Sequence, residues 1–479
     1  WGMKDMRVEP RIAFNNDPSY GYRGVAESPW GSAYSALAGA RDGLAALAEG
    51  LTIDEGGVDV TQRALAFGKF VQGMAHLNLA RLYDQAFNID ENSDLAAITL
   101  APALEVYTAG MAQLDEAKQI AQNNTFTIPS LWLGEGGDWS STDMVGFIKA
   151  FQVRFTIQMP RNVADRGSLS PYGKDWNWVL TTLADGLPFE YYHHDYGSGS
   201  WGYHRAKTHC GGDQSGWTRV DYRTLGPADV SGAWETWINA APTDRDPFDI
   251  TTPDSRITEP YEPTSDGQYL EYRGNSPYPS SRGIWTFSNY LDVRFTELRS
   301  GIGRYYDFLD MEVDFIRAEA WYRLGQYDNV REVVNQYRAN GGLPPFVTNE
   351  NPDGADTCVP QNPDGTCGDL WEALKYEKRI ENYHYGSASE YMDDRGWGDL
   401  VSGTLLELPV PGSELLLMLM PLYTFGANAG NAAPASAQHD FISFLNDFSP
   451  EALSFKRQAL DAQIAASIAE SDAPPGPVR

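Results

Sequence analysis

The sequence predicts a mainly α-helical protein in which helix hairpins form a scaffold and one large side is irregular and loop-rich. Three observations predict it. Apolar residues recur at three- and four-residue steps through the first third of the 479-residue chain, the periodicity vanishes between Pro188 and Gly303, and it returns after Tyr306. The first helix is expected over Ser32 to Glu49, where Tyr34, Leu37, Ala38, Arg41, Leu44, Ala45 and Ala48 share one stripe behind a serine cap. A longer one follows from about Asp59 to Gln85, with Leu65, Phe70, Met74, Leu77 and Leu82. Thr99 to Gln122 supplies a third, with Pro102 in its first turn. Thr142 to Val163 is the fourth, capped by Ser141 or Asp143 and stopped by Pro160. Short polar turns between long helices favour antiparallel neighbours.

The irregular stretch is rich in Gly, Pro, Ser and Asp, and also in Trp and Tyr. So long a loop segment is unusual and normally functional, and its aromatics argue against disorder. Helices resume at Tyr306 to Leu324 and Tyr327 to Ala339 around Gly325-Gln326, with Ala318 and Ala320 permitting close approach. That is a tetratricopeptide-type hairpin. Leu370 to Tyr383 and Pro450 to Glu470 are the last helices expected, before a Pro-rich tail.

Composition narrows the function. With 65 acidic against 36 basic residues the formal charge is -29, which argues against nucleic acid or an anionic membrane as main partner. Length sets a prior of roughly three domains, although one helical array could use it all. The longest apolar run, Leu415 to Leu422, falls well short of the roughly 20 residues of a spanning helix and reads as core or as a partner contact. The chain opens at Trp1 with no export signal ahead of it, as expected of a processed or truncated product. Cys358 and Cys367, nine residues apart in an Asn-Pro-Asp-Gly-rich loop, form the expected disulfide and point to an oxidising, exported setting. Cys210 is left over.

Enzymatic signals are weak. Gly197, Gly199 and Gly202 have dinucleotide-fingerprint spacing without the flanking strand and helix. His193, His194, His204 and His209 with Cys210 lack a recognised zinc spacing, so no metal is expected there. Asp353, Asp356 and Asp364 could offer oxygens to calcium but read first as Asp-Gly turns, and no cofactor is expected. There is no nucleophile elbow, HExxH or Walker loop. The best signal is aromatic: Trp201, Tyr203, Trp217, Trp234, Trp237, Tyr272, Tyr278 and Trp285 lie in the loops, where flat rings with polar rims suit sugars. Tyr222, Tyr269 and Tyr290 share the region, and the competing reading is that such rings cement it.

Four blocks, in order, resemble the SusD/RagB family. The most specific runs from Glu377 to Glu414, with Glu377, Arg379, Glu381, Gly386, Asp394, Arg395, Gly396, Trp397, Gly398, Leu400, Pro409, Pro411 and Glu414 at signature positions. The second glutamate follows Arg379 by two positions instead of three, and Tyr385-Gly386-Ser387-Ala388 replaces Glu-Gly-x-Arg, so a subgroup is implied. Phe67 to Phe87, Gly137 to Arg154 and Glu312 to Pro344 are similar to the other blocks. The resemblance implies one domain over the whole chain: a helical part to residue 187, a loop-rich insert over 188–303, and a C-terminal hairpin with the signature. It further implies a non-catalytic surface lipoprotein of a bacterial outer membrane that captures glycans or peptides above a SusC-like TonB-dependent barrel. The lipid anchor would lie on a residue not present in this chain. The rival expectation is a surface scaffold that self-assembles, since aromatics also dominate protein contacts.

Overall fold

A computed structural model describes residues 8–134, 136–196, 219–274, 287–294, 302–350, 358–385 and 389–427. Among these residues it is mainly helical, with 13 helices and five two-stranded sheets. Helices α1 (Gly24–Ala48), α2 (Thr61–Leu82), α3 (Ala103–Asn123) and α4 (Ser141–Gln158) each pack on the next. The α2–α3 crossing is close because Gly73 faces Gly110: a Cβ on Gly73 would overlap the Leu114 side chain and the Gly110 carbonyl. Helix α4 starts with a capping box, in which the Ser140 hydroxyl accepts from Asp143 N–H and Asp143 accepts from Ser140 N–H. Short helices α5 (Val163–Ser168) and α6 (Trp176–Thr182) follow.

After the loop-rich side come α9 (Asp310–Arg323), α10 (Tyr327–Arg338), α11 (Leu370–Glu381), α12 (Ser389–Trp397) and α13 (Gly412–Leu417), numbered after the one- and two-turn helices α7 (Tyr222–Leu225) and α8 (Ala233–Asn239). The α9–α10 hairpin and α11 share a core of Phe315, Ala318, Val330, Val334, Leu370 and Leu374. Helix α9 also packs on α6, and α12 on α4 and α5. A second core gathers Val220, Tyr222, Trp234, Trp237, Ile250, Ile257, Tyr290 and Tyr376, so the loop-rich side is ordered around its own aromatics.

Four expectations shift. Ser140 caps α4 in place of Ser141 or Asp143, because its hydroxyl is the one that reaches the Asp143 N–H. Helix α1 begins at Gly24 with Pro29 inside it, because Ala26 and Trp30 extend the buried stripe toward the N-terminus. Pro102 is the cap residue of α3, outside its first turn. The helix expected from Tyr306 begins at Asp310, and Ile302–Phe308 is a strand antiparallel to Tyr191–Tyr196. Long-range pairing explains this strand: its register against Tyr191–Tyr196 buries Tyr305 and, past an irregularity between Tyr306 and Phe308, Phe308. The helix expected over Pro450 to Glu470 lies outside the described residues.

Candidate functional site

The loop-rich side is held by buried charge. On α9, Glu312 and Glu319 are seven residues apart, two helical turns, and so share a face. Arg154 of α4 forks onto Glu312, with Nε–Oε1 at 2.8 Å, and lies 3.5 Å from Asp307. Arg166 of α5 forks onto Glu319 at 3.0 and 2.6 Å and reaches Asp393 at 2.9 Å. On α11, Glu377 and Glu381 are one turn apart, and both accept from Arg256 Nη1, at 2.7 and 2.8 Å. Arg256 also forks onto Asp254, whose carboxylate accepts from Tyr376 Oη at 2.6 Å, and Arg338 reaches Glu377 at 3.3 Å. Arg166, Arg256, Arg338 and Asp254 are each 0 % exposed. Burial alone would raise the Glu319 carboxyl, but Arg166 outweighs it and holds that group at about 2.

The signature residues belong to this interior. Arg379 pairs with Asp394 and Asp399. Trp397 donates its indole N–H to Glu319 at 3.1 Å. Arg395 donates to the carbonyls of Pro160, Arg81, Leu406 and Gln158. Burial first, then repulsion from Arg161, pushes the Arg395 guanidinium down to about 10. Arg395 and Trp397 are buried and fasten helices from inside, while the Arg379 cluster keeps a partly exposed edge at Asp394 and Asp399. Sequence reasoning placed Arg154 and Arg338 only inside blocks of resemblance and missed Arg166 and Arg256, yet part of the signal was present. Asp221-x-Arg223, Asp254-x-Arg256 and Asp292-x-Arg294 repeat one local device, in which the aspartate accepts the backbone N–H of the arginine two residues on.

Of the aromatic candidates, Trp201, Tyr203, Trp217, Tyr278 and Trp285 lie outside the described residues. Trp234 and Trp237, expected on the surface, are 3 % and 2 % exposed and stand in the second core, their rings stacked with centroids 5.6 Å apart. Arg245 and Arg223 lie over the Trp237 ring and share the Glu9 carboxylate. Cys358 and Cys367 are joined by a disulfide whose loop docks on α8 through Asn239 Nδ2 to the Pro363 carbonyl, 2.7 Å. His193 and His194 sit on the Tyr191–Tyr196 strand, while His204, His209 and Cys210 lie outside the described residues, as do Asp353 and Asp356. Asp364 closes a turn on Thr366, and no group of metal-ligating side chains occurs among the described residues.

Tyr272 is the candidate the structure leaves half-exposed. It closes strand Leu270–Tyr272, paired antiparallel to Tyr290–Asp292, and its ring meets Tyr290 edge-on at 5.5 Å. Its hydroxyl lies beside Asp249 and Asn289, which are hydrogen-bonded to each other at 2.8 Å. Burial, then the Asp249 charge, raises the Tyr272 phenol, keeping it protonated as a donor. On the neighbouring strand pair, Tyr192 and Tyr306 meet at 5.7 Å with the Arg304 guanidinium 4.7 Å over the Tyr192 ring. An interior cavity lined by Arg256, Tyr269, Leu270, Arg294, Ile380 and Tyr383 has room for about one water. Any larger ligand therefore meets these rings from outside that cavity.

No family model and no curated protein matches the sequence. The likeness found is to solved structures and is one of fold. The fold is similar to a SusD superfamily protein from Parabacteroides distasonis (TM-score 0.48, 14% identity, covering 85% of this chain and 89% of that one). It is also similar to a SusD homolog from the same organism (0.47, 13%, 82% and 76%) and to a SusD-like carbohydrate binding protein from Bacteroides fragilis (0.44, 13%, 83% and 80%). Likeness at this level says nothing of ligand or partner.

Proposed function

We propose that the chain is a non-catalytic surface-binding subunit that captures glycans, or other oligomers, and delivers them to a SusC-like TonB-dependent barrel at a bacterial outer membrane. One observation carries the binding role: Tyr272 offers a half-exposed ring whose hydroxyl is flanked by the Asp249–Asn289 pair, a flat apolar face beside donors and acceptors for hydroxyls. The motif resemblance over Glu377 to Glu414 supports the class, and lipid anchorage belongs to the same reading. For delivery, the support is a set of exposed leucines at the end of α13 and just beyond it, where Leu416, Leu417, Leu419 and Leu422 are 52 %, 66 %, 46 % and 40 % exposed. The test is calorimetric titration with a panel of oligosaccharides. Tyr272→Ala is expected to weaken binding roughly ten-fold, about 1.4 kcal/mol, and Tyr272→Phe to weaken it less. A wild-type chain that binds no glycan or peptide ends the uptake reading.

The same leucines favour a second reading, a surface scaffold that self-associates. Light scattering separates the two, because a defined polymer of the purified chain favours the scaffold.

A further inference from the structure

A second exposed aromatic stands where the loop-rich side meets the helices. The turn Ser130–Leu133 carries Leu131, 73 % exposed, and Trp132, 38 % exposed. Sequence periodicity gives no hint of it, since the turn belongs to no helix stripe. Its setting is rigid. Ser130 N–H donates to Asp138 Oδ1 at 2.7 Å, and Ile128 pairs with Trp139 behind it. His194 N–H donates to the Gly134 carbonyl at 2.9 Å, tying the turn to the Tyr191–Tyr196 strand. Glycine is required for that tie: Gly134 has φ 66°, and a Cβ on Gly136 would overlap the Tyr192 carbonyl oxygen. From the other side, α2 supports the ring. Phe67 lies 5.1 Å from it, tilted by 47°, and the Arg63 guanidinium is 4.9 Å from its centroid. Arg63 is 8 % exposed, is paired with Glu55, and keeps an Nε–H with no hydrogen-bond partner. The Glu55 side chain is 56 % exposed and presents its carboxylate beside this assembly.

We propose that Trp132, with Leu131, Arg63 and Glu55, forms a second subsite that takes one sugar ring of a neutral glycan; this rests on the glycan-binding reading above. The indole supplies a flat apolar face held in place before binding, so little ordering entropy is lost on capture. Glu55 accepts sugar hydroxyls, and Arg63 fixes the indole from its covered side. Glu55, Asp54 and Asp59 stand in and around one exposed turn, on a chain of charge -29, so an anionic sugar is repelled there.

The experiment is calorimetric titration of the full chain with cello-, malto- and manno-hexasaccharides and with oligogalacturonate, repeated on Trp132→Ala, Trp132→Phe and Gly136→Ala, with thermal melts to establish folding. Trp132→Ala is expected to weaken the best neutral ligand roughly ten-fold. Trp132→Phe should recover part of the loss, and Gly136→Ala, which displaces the turn without touching its ring, should reproduce it. If wild type and Trp132→Ala bind a neutral glycan equally, the subsite falls while the glycan reading stands. If wild type binds nothing in the panel, both fall. Oligogalacturonate binding that depends on Trp132 overturns the neutral-sugar assignment.

Discussion

Replacing Arg256 with Met removes the cation that joins the loop-rich side to α11. Three carboxylates, Asp254, Glu377 and Glu381, bond to that one guanidinium at 2.6 to 2.8 Å, and Arg256 is 0 % exposed. After the change Glu377 keeps Arg338 at 3.3 Å, whereas Asp254 and Glu381 keep only neutral donors, the Tyr376, Tyr269 and Asn340 side chains and the backbone N–H of residue 256. Breaking a buried pair on one side costs about 3–5 kcal/mol, because charge is left without compensation. At about 2.1 cal/mol/K of unfolding entropy per residue, a chain of 479 residues has roughly 1 kcal/mol/K, so the melting temperature should fall by about 3–5 °C. The orphaned carboxylates gain raised folded pKa values, so their protonation as pH drops from 7 to 5 should recover part of the loss. Binding measured well below the melt should be unchanged, since no member of the network is open to a ligand. Melts at pH 7 and 5 followed by calorimetry on the folded variant decide it. A fall below about 1 °C, a loss independent of pH, or a folded variant that no longer binds would each refute the reasoning.

Three further outcomes are expected. Converting Cys358 and Cys367 together to Ser should cost about 2.5–3 kcal/mol by releasing a loop of about ten residues, and denaturant titration that finds no loss would remove the disulfide from the account of stability. Stability should peak on the acid side of neutrality. Burial and then Asp394 push Glu390 up to about 7, and burial pushes Asp84 up to about 6, so their contribution is full below about pH 4 and lost as pH rises through 6 to 7. Glu319 and Asp292, held at about 2 by Arg166 and Arg294 against the burial penalty, lose theirs as pH falls below about 4. Melts across pH should therefore show a maximum between about 4.5 and 6 that Glu390→Gln broadens upward, and a maximum above 7.5 contradicts it. Leu417→Ser should leave the melt within about 1 °C, because the side chain is already exposed, while reducing co-purification with a co-expressed TonB-dependent barrel.

The helices were readable because burial writes a period into sequence. Leu37, Leu77, Leu114, Phe147 and Val313 are at most 1 % exposed and sit on the stripes that announce their helices. The Ile302–Phe308 strand was not readable because it pairs across more than a hundred residues with Tyr191–Tyr196, a partner no local window contains. Trp234 and Trp237 misled for a related reason. In a loop-rich segment an aromatic has no stripe to mark it as core, and only the fold shows these two stacked on each other, with Arg223 and Arg245 over the Trp237 ring.

The residues that carried the resemblance are the ones least able to touch a ligand. Glu377, Glu381, Arg395 and Trp397 fix helix to helix through buried polar contacts, and such positions admit few substitutes, since losing either partner strands the other. A motif of that kind transmits fold. Ligand choice must then sit on surface rings that no motif names, such as Tyr272 and Trp132, whose partners Asp249, Asn289, Arg63 and Glu55 lie outside the arginine–glutamate sets that fasten the helices. If so, exchanging the Trp132 and Tyr272 neighbourhoods between chains of this fold should move glycan preference and leave the melting temperature nearly where it was. Exchanging the buried arginine–glutamate sets should do the reverse.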